Sequence, residues 1–179
     1  TGPMTPGGQG FDKVVFPENL GFGKDAYFDD QGNYLSDRLT DAVLEFVEDN
    51  RNRPFFAYLP DHAVHAPYEP KQDLLQKYEK KLEQSNDRRD NAAAAATIEA
   101  VDQNVGRIMQ RLTELNLRDN TVVIFTSDNG GTNQFTPPLK GGKGQLYEGG
   151  IRIPLVVSWP ALKNPGRVCD VPVSSVDWY

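Results

Sequence analysis

The chain has 179 residues, enough to bury one hydrophobic core, and its 38% hydrophobic and 25% charged residues are typical of a folded globular protein. A net charge of −6 argues against a nucleic-acid-binding protein, which would carry a basic face. No apolar run approaches the roughly 20 residues that span a bilayer, and the single cysteine, Cys169, excludes an internal disulfide.

The N-terminal region is rich in Gly, Pro, Asp and Asn, which predicts a loop-rich lead-in segment over residues 1–35, before a domain over residues 36–179. The first ten residues lack the apolar region of a signal peptide, and the chain does not begin with Met. We therefore interpret it as part of a longer protein, and its own sequence assigns no compartment.

Helical and strand patterns then follow one another along the chain. Ser36 is of the residue type that caps a helix, and the apolar spacing predicts a helix over 37–49. Continuous apolar runs predict strands buried on both faces, at 55–59 and 121–126. The regular three- and four-residue spacing from Ala92 to Leu115 predicts a long amphipathic helix, and a third strand is expected over 153–159. This order predicts an α/β fold with a largely parallel sheet flanked by helices.

Asp128 and Asn129 come directly after the second predicted strand, where ligands bind in parallel α/β sheets. A carboxylate next to an amide oxygen supplies two of the hard oxygen ligands that calcium or magnesium prefers. The alternative is an ordinary turn, since Asp-Asn-Gly is also common turn chemistry.

His65 and Lys143 are the other candidates for chemistry. His65 follows the first predicted strand and is either a general acid or a structural histidine; His62 is a weaker case of the same kind. Lys143 lies among glycines that would let its tip approach an oxyanion, or else it belongs to a flexible surface loop. Arg152 is expected to have a structural role, for example as a partner of Glu148.

Taken together, these segments resemble the sulfatases, a branch of the alkaline phosphatase superfamily. The similarity runs from Tyr34 to Tyr179, and its most specific part, residues 142–154, resembles the second sulfatase signature region. The other matching segments are 34–40, 54–67, 101–106, 120–131 and 171–177. The resemblance implies an alkaline-phosphatase-like fold, of which this chain is a part, and a sulfuric-ester hydrolase.

The resemblance also implies roles for individual residues. Asp128 and Asn129 correspond to two of the protein ligands of a calcium ion, with Mg²⁺ as the alternative metal. Lys143 corresponds to the lysine that contacts the sulfate, and His65 to the histidine near the bridging oxygen and the leaving group. The substrate would be a sulfated small molecule or carbohydrate, and the family leads us to expect a periplasmic, secreted or lysosomal-like location.

The family nucleophile does not occur in this sequence. Sulfatases use a formylglycine made from Cys or Ser in a C/S-x-P-x-R motif, but proline follows Cys169 at the wrong spacing and Leu162 replaces the arginine after Ser158. We expect the formylglycine and the remaining metal ligands to precede Thr1, so this chain alone is predicted to be inactive. A partial sheet would also expose an edge through which the chain could self-associate.

Two other functions fit the same residues. A phosphatase or phosphonate hydrolase of the superfamily would place a different metal-ligand pair after the strand, often with histidine, so Asn129 favours a sulfatase. A non-catalytic, sulfatase-like binding module would lack the C/S-x-P-x-R motif altogether.

Overall fold

The computed structural model describes residues 5–86, 91–132, 134–163 and 165–178. Within these ranges the helices are α1 (Leu35–Asp49), α2 (Gln72–Leu82), α3 (Ala92–Glu114) and α4 (Glu148–Ile151), and the strands are β1 (Val123–Thr126) and β2 (Leu155–Ser158). Short 3₁₀ helices lie at Pro6–Gln9, Pro17–Leu20, Arg118–Asn120 and Ser175–Trp178. None of the described helices is long and apolar enough to cross a membrane.

Helix α1 begins at Leu35, two residues before the start that its sequence pattern predicts. Tyr34 is the N-cap, so the prediction that Ser36 caps the helix is wrong. The Ser36 hydroxyl is buried inside the first turn and donates to the Asp61 carboxylate, which leaves it unable to cap. At the other end, the Asn50 side chain donates to the Phe46 carbonyl oxygen (2.7 Å) and satisfies one acceptor of the last turn.

Helix α3 is the central element of the hydrophobic core, as its periodicity predicted. Asn91 caps it by accepting from the Ala94 backbone N–H (3.0 Å). Ala96 and Ala100 are fully buried, and their small side chains allow α1 and α2 to pack closely against α3. The core cluster also contains Tyr27, from the region predicted as a lead-in segment, although the division at residue 35 itself remains a prediction.

The sheet corrects one part of the predicted architecture. The α/β class is confirmed, but β1 and β2 pair antiparallel, with Val123 opposite Ser158 and Thr126 opposite Leu155. Parallel neighbours require a crossover over the face of the sheet. The described residues between β1 and β2 instead form loops and the single turn of α4, so the chain returns in the opposite direction.

The predicted strand at residues 55–59 is wrong. These residues pair with no described strand, and the large side chains of Phe56 and Tyr58 are 70% and 63% exposed. Their apolar character predicts burial, but the described part of the chain provides no sheet surface that could cover them. The segment runs without regular structure into the loop that carries His65.

Candidate functional site

The loop over residues 60–67 is held in place from several sides. Asp61 Oδ1 accepts from the Ala63 backbone N–H (2.9 Å), and the His65 backbone N–H donates to the His62 carbonyl oxygen (3.0 Å). The Tyr27 hydroxyl donates to the His65 carbonyl oxygen (3.2 Å). The His65 backbone is therefore anchored although its side chain is exposed.

His65 and Lys143 meet although 78 positions separate them in the sequence. Lys143 Nζ lies 3.2 Å from His65 Nε2, while His65 Nδ1 lies 2.6 Å from the Ala66 carbonyl oxygen. Because a carbonyl oxygen can only accept, Nδ1 carries the proton, and the lone pair of Nε2 accepts from the Lys143 ammonium. The structure thus joins the two predicted catalytic residues in one hydrogen-bonded pair with a defined tautomer.

His62 belongs to the same loop but does not reach Lys143 through a described hydrogen bond. Its ring is 4.8 Å from the His65 ring and 6.0 Å from the Tyr27 ring, measured between centroids. Burial, followed by the negative charges of nearby carboxylates, raises the pKa of Tyr27 above its ordinary value. The hydroxyl therefore keeps its proton, and its ability to donate, to a higher pH than an ordinary tyrosine.

Backbone hydrogen bonds attach the loop after β1 to the glycine-rich loop of Lys143. The Lys143 N–H donates to the Gly131 carbonyl oxygen (2.7 Å), and the Gly130 N–H donates to the Gly150 carbonyl oxygen (3.0 Å). The Gly149 N–H donates to the Lys140 carbonyl oxygen (2.8 Å). Together these bonds place Asp128 and Asn129, two or three residues before Gly131, in the same loop cluster as Lys143.

Glycine is required where these loops touch. A Cβ atom on Gly130 would collide with the Gly149 carbonyl oxygen, one on Gly149 with that of Gly141, and one on Gly150 with that of Gln145. Only a residue without a side chain permits such close backbone approach. The sequence shows the glycines, but their pairwise contacts depend on the tertiary fold and cannot be derived from spacing.

Asp128 and Asn129 lie in the loop that follows β1. In this loop the Ser127 hydroxyl donates to the Asn129 carbonyl oxygen (2.9 Å). The Asp128 carboxylate is exposed, and the Asn129 side chain is half-buried. One carboxylate and one amide oxygen match the donor chemistry of a calcium site, but supply only part of its six to eight ligands. Within the described residues, no cluster of three or more His, Cys, Asp or Glu could hold a metal.

The remaining candidates make other contacts. Arg152 pairs with Glu148 (3.4 Å), the contact expected for a structural role. Cys169 is exposed, and the Ser158 hydroxyl accepts from Arg118. Tyr27 and Asp61 were not indicated by the sequence, because they act on His65 through its backbone and loop, and neither belongs to a recognisable motif.

The α/β fold thus brings the His65 imidazole and the Lys143 ammonium together, and backbone hydrogen bonds join the loop that follows Asp128 and Asn129 to the loop of Lys143. The sulfatase family model matches residues 2–179, and the chain belongs to this family. The membership of the sulfatase family that the sequence motifs suggested is therefore confirmed.

Similar proteins are themselves named as sulfatases. A sulfatase of Formosa agariphila is 40% identical over 161 residues, which are 82% of this chain and 29% of that protein. The N-acetylgalactosamine-6-O-sulfatase of Bacteroides thetaiotaomicron is 33% identical over 160 residues, 81% of this chain and 29% of the relative. The chain thus spans less than a third of the length of these relatives.

Solved structures show the same fold. Ps i-CgsB in complex with k-i-k-neocarrahexaose aligns with a TM-score of 0.69 and 29% identity, over 90% of this chain and 42% of that one. The protein YidJ of Bacteroides fragilis aligns with a TM-score of 0.56 and 28% identity, over 72% of this chain and 32% of that one. The alkaline-phosphatase-like fold implied by the resemblance is thereby confirmed.

Proposed function

We propose that this chain forms the side of a sulfatase active site that binds the sulfate and protonates the leaving group. The observation that carries the proposal is the contact between Lys143 Nζ and His65 Nε2 (3.2 Å). His65 and Lys143 belong to separate motifs of the family resemblance, yet their side chains meet at one point on the surface. A structural histidine and a freely moving surface lysine would have no reason to meet there.

The geometry suggests a different chemical role for each of these two residues. The Lys143 ammonium donates hydrogen bonds to the sulfate and stabilises the charge that develops on the departing oxygen. His65 must gain a proton at Nε2 before it can act as an acid, since its Nδ1 proton is directed at the Ala66 carbonyl. Protonated there by solvent, His65 would donate that proton to the bridging oxygen as the sulfur–oxygen bond of the ester breaks, while the sulfuryl group would pass to the nucleophile that a C/S-x-P-x-R segment supplies.

Asp128 and Asn129 are proposed to hold a calcium ion, with magnesium as the alternative. Such an ion would polarise the sulfate oxygens. The proposal is supported by the hard oxygen donors of the two side chains and by the bond from Lys143 N–H to the Gly131 carbonyl oxygen, which fixes their loop beside the lysine.

Calcium titration calorimetry on this chain tests the metal proposal. We expect weak binding, because two donors are far fewer than calcium prefers, and we expect Asp128→Ala to abolish it. Asp170→Ala, which removes another exposed carboxylate, is the matched control and should leave binding unchanged. Binding that survives Asp128→Ala would contradict this assignment of the ligands.

For the substrate, we propose a sulfated carbohydrate. Two of the proteins to which the chain is similar are named for, or were solved with, a saccharide: an N-acetylgalactosamine-6-O-sulfatase and the complex with k-i-k-neocarrahexaose. The side chains of His65, Lys143 and Asp128 are all exposed, so the described part of the site is open enough to receive an oligosaccharide.

Hydrolysis assays test the reaction class. They require a polypeptide that contains this chain together with a C/S-x-P-x-R segment. We expect hydrolysis of a sulfate ester in preference to the matching phosphate ester, and a loss of at least about 100-fold with Lys143→Ala. Lys163→Ala, which removes another lysine of an exposed surface, should have no effect. A preference for the phosphate ester would favour the phosphatase alternative and overturn the proposal.

A further inference from the structure

We propose that Ser36 and Asp61 are positioning residues for His65. They form the last part of a hydrogen-bonded chain of side chains that starts on α3, crosses α1 and ends in the loop that carries the histidine. The chain of bonds can be examined without any substrate. Only its consequence for catalysis rests on the function proposed for His65.

The bonds follow one another from donor to acceptor. Arg107 Nη1 donates to Asn104 Oδ1 (3.0 Å), and Asn104 Nδ2 donates to Ser36 Oγ (3.0 Å). The Ser36 hydroxyl in turn donates to Asp61 Oδ2. The other carboxylate oxygen, Asp61 Oδ1, accepts from the Ala63 backbone N–H (2.9 Å), two residues before His65.

The direction of these bonds is fixed by the chemistry of the groups. The amide nitrogen of Asn104 can only donate, so the single proton of the Ser36 hydroxyl is left for the Asp61 carboxylate. Ser36 and Asn104 are 2% and 3% exposed, which means that water cannot readily replace a lost partner. Removing one hydroxyl therefore frees a carboxylate oxygen and releases the loop from α1.

His65 depends on this attachment because its side chain is exposed and few neighbours pack around it. Its orientation toward Lys143 is set by the backbone of the loop. Asp61 fixes that backbone at Ala63, which is buried in the core cluster. Tyr27 fixes it at the His65 carbonyl oxygen. The attachment at Ala63 is made by Asp61 itself, and Ser36 in turn holds Asp61.

Two substitutions break the chain of bonds in different ways. Ser36→Ala removes the hydroxyl. Asp61→Asn keeps the acceptor for Ala63 but places an amide donor opposite the hydroxyl, which already accepts from Asn104. Thr40→Val is the matched control: Thr40 is fully buried on the same helix, and its hydroxyl has no hydrogen-bond partner among the residues that the structure describes.

NMR spectroscopy of this chain provides the measurement. In the unaltered chain we expect a nuclear Overhauser effect between the His65 ring and the Lys143 side chain, and ¹⁵N shifts of a ring protonated at Nδ1. Ser36→Ala and Asp61→Asn should abolish the Overhauser effect and shift the ring nitrogens toward the tautomer mixture of a free imidazole. Thr40→Val should preserve both signals. Circular dichroism establishes that each variant keeps its helices.

The results separate this proposal from the function proposed above. If folded Ser36→Ala and Asp61→Asn chains keep the Overhauser effect and the single tautomer, the positioning role is overturned, whatever the enzyme activity. If both signals are lost only in these two variants, the positioning role stands even if the hydrolysis assays fail. The same signals lost in Thr40→Val would also overturn it, because any change in α1 would then suffice.

Discussion

Replacing Gly149 by alanine tests whether close backbone contact holds the Lys143 loop in place. The new Cβ atom would collide with the carbonyl oxygen of Gly141 and lie 2.9 Å from that of Lys140. Both neighbours are backbone, so no flexible side chain can move aside. The loop must open, and the bond from the Gly149 N–H to the Lys140 carbonyl oxygen (2.8 Å) is lost with it.

The expected cost follows from these two effects. Forcing an extra methyl group into a packed site costs about 1–3 kcal/mol, and a lost hydrogen bond adds about 1 kcal/mol. A total of about 2–4 kcal/mol corresponds to a change of roughly 30- to 700-fold in the equilibrium for local opening, since about 1.4 kcal/mol is a factor of ten.

Hydrogen exchange at the Lys143 amide, which donates to the Gly131 carbonyl oxygen, reports this opening. We expect exchange to accelerate by the same factor in Gly149→Ala. Gly106→Ala is the control: Gly106 is exposed in α3 with nothing within 4 Å of its added Cβ, so it should raise the global stability by about 0.5–1 kcal/mol and leave this amide unchanged. An unchanged exchange rate in Gly149→Ala would refute the reasoning.

Two further predictions concern pH. Burial, and then nearby carboxylates, raises the pKa of Tyr27, so the folded state holds the hydroxyl proton more tightly than the unfolded state does. The resulting stabilisation is complete below the ordinary pKa of 10.0 and is lost as the pH rises through the raised pKa. Tyr27→Phe should therefore flatten the alkaline fall in melting temperature, and an unchanged slope would contradict this. Hydrogen bonds from Lys77 and then Tyr78 lower the pKa of Glu99, so its stabilisation is complete above 4.5 and is lost as the pH falls through the lowered pKa. Glu99→Gln should flatten the acid fall measured by circular dichroism, and a slope equal to that of the unaltered chain would exclude this role.

Much of the fold follows from local patterns. The spacing of apolar residues located α1 and α3, and the apolar run before Ser127 located β1. The burial predicted for that run is wrong, because Ile124 and Phe125 are 41% and 44% exposed. The same reasoning failed at residues 55–59, where the apolar side chains have no described sheet to pair with. Strand direction also could not be derived, since it depends on how the loops between β1 and β2 fold.

The site, like the fold, could be predicted from the sequence only in part. Asp128, Asn129, His65 and Lys143 are visible in the sequence because each lies in a short motif: the first two follow the run that forms β1, His65 precedes Ala66-Pro67, and Lys143 lies among glycines. Their assembly is not visible, because the His65–Lys143 contact joins residues 78 positions apart. Ser36 shows the limit most clearly: its residue type predicts a helix cap, but a carboxylate 25 positions away uses its hydroxyl instead.

The dependence of hydrolysis on the leaving group tests the central claim most directly. In a polypeptide that contains this chain and a C/S-x-P-x-R segment, the rate is measured for an alkyl sulfate, whose leaving oxygen needs a proton, and for a nitrophenyl sulfate, whose leaving group departs without one. If His65 protonates the leaving oxygen, His65→Gln should slow the alkyl ester by about 10²–10⁴-fold and the aryl ester far less. Equal losses for both esters, or no loss for either, would contradict the role assigned to His65.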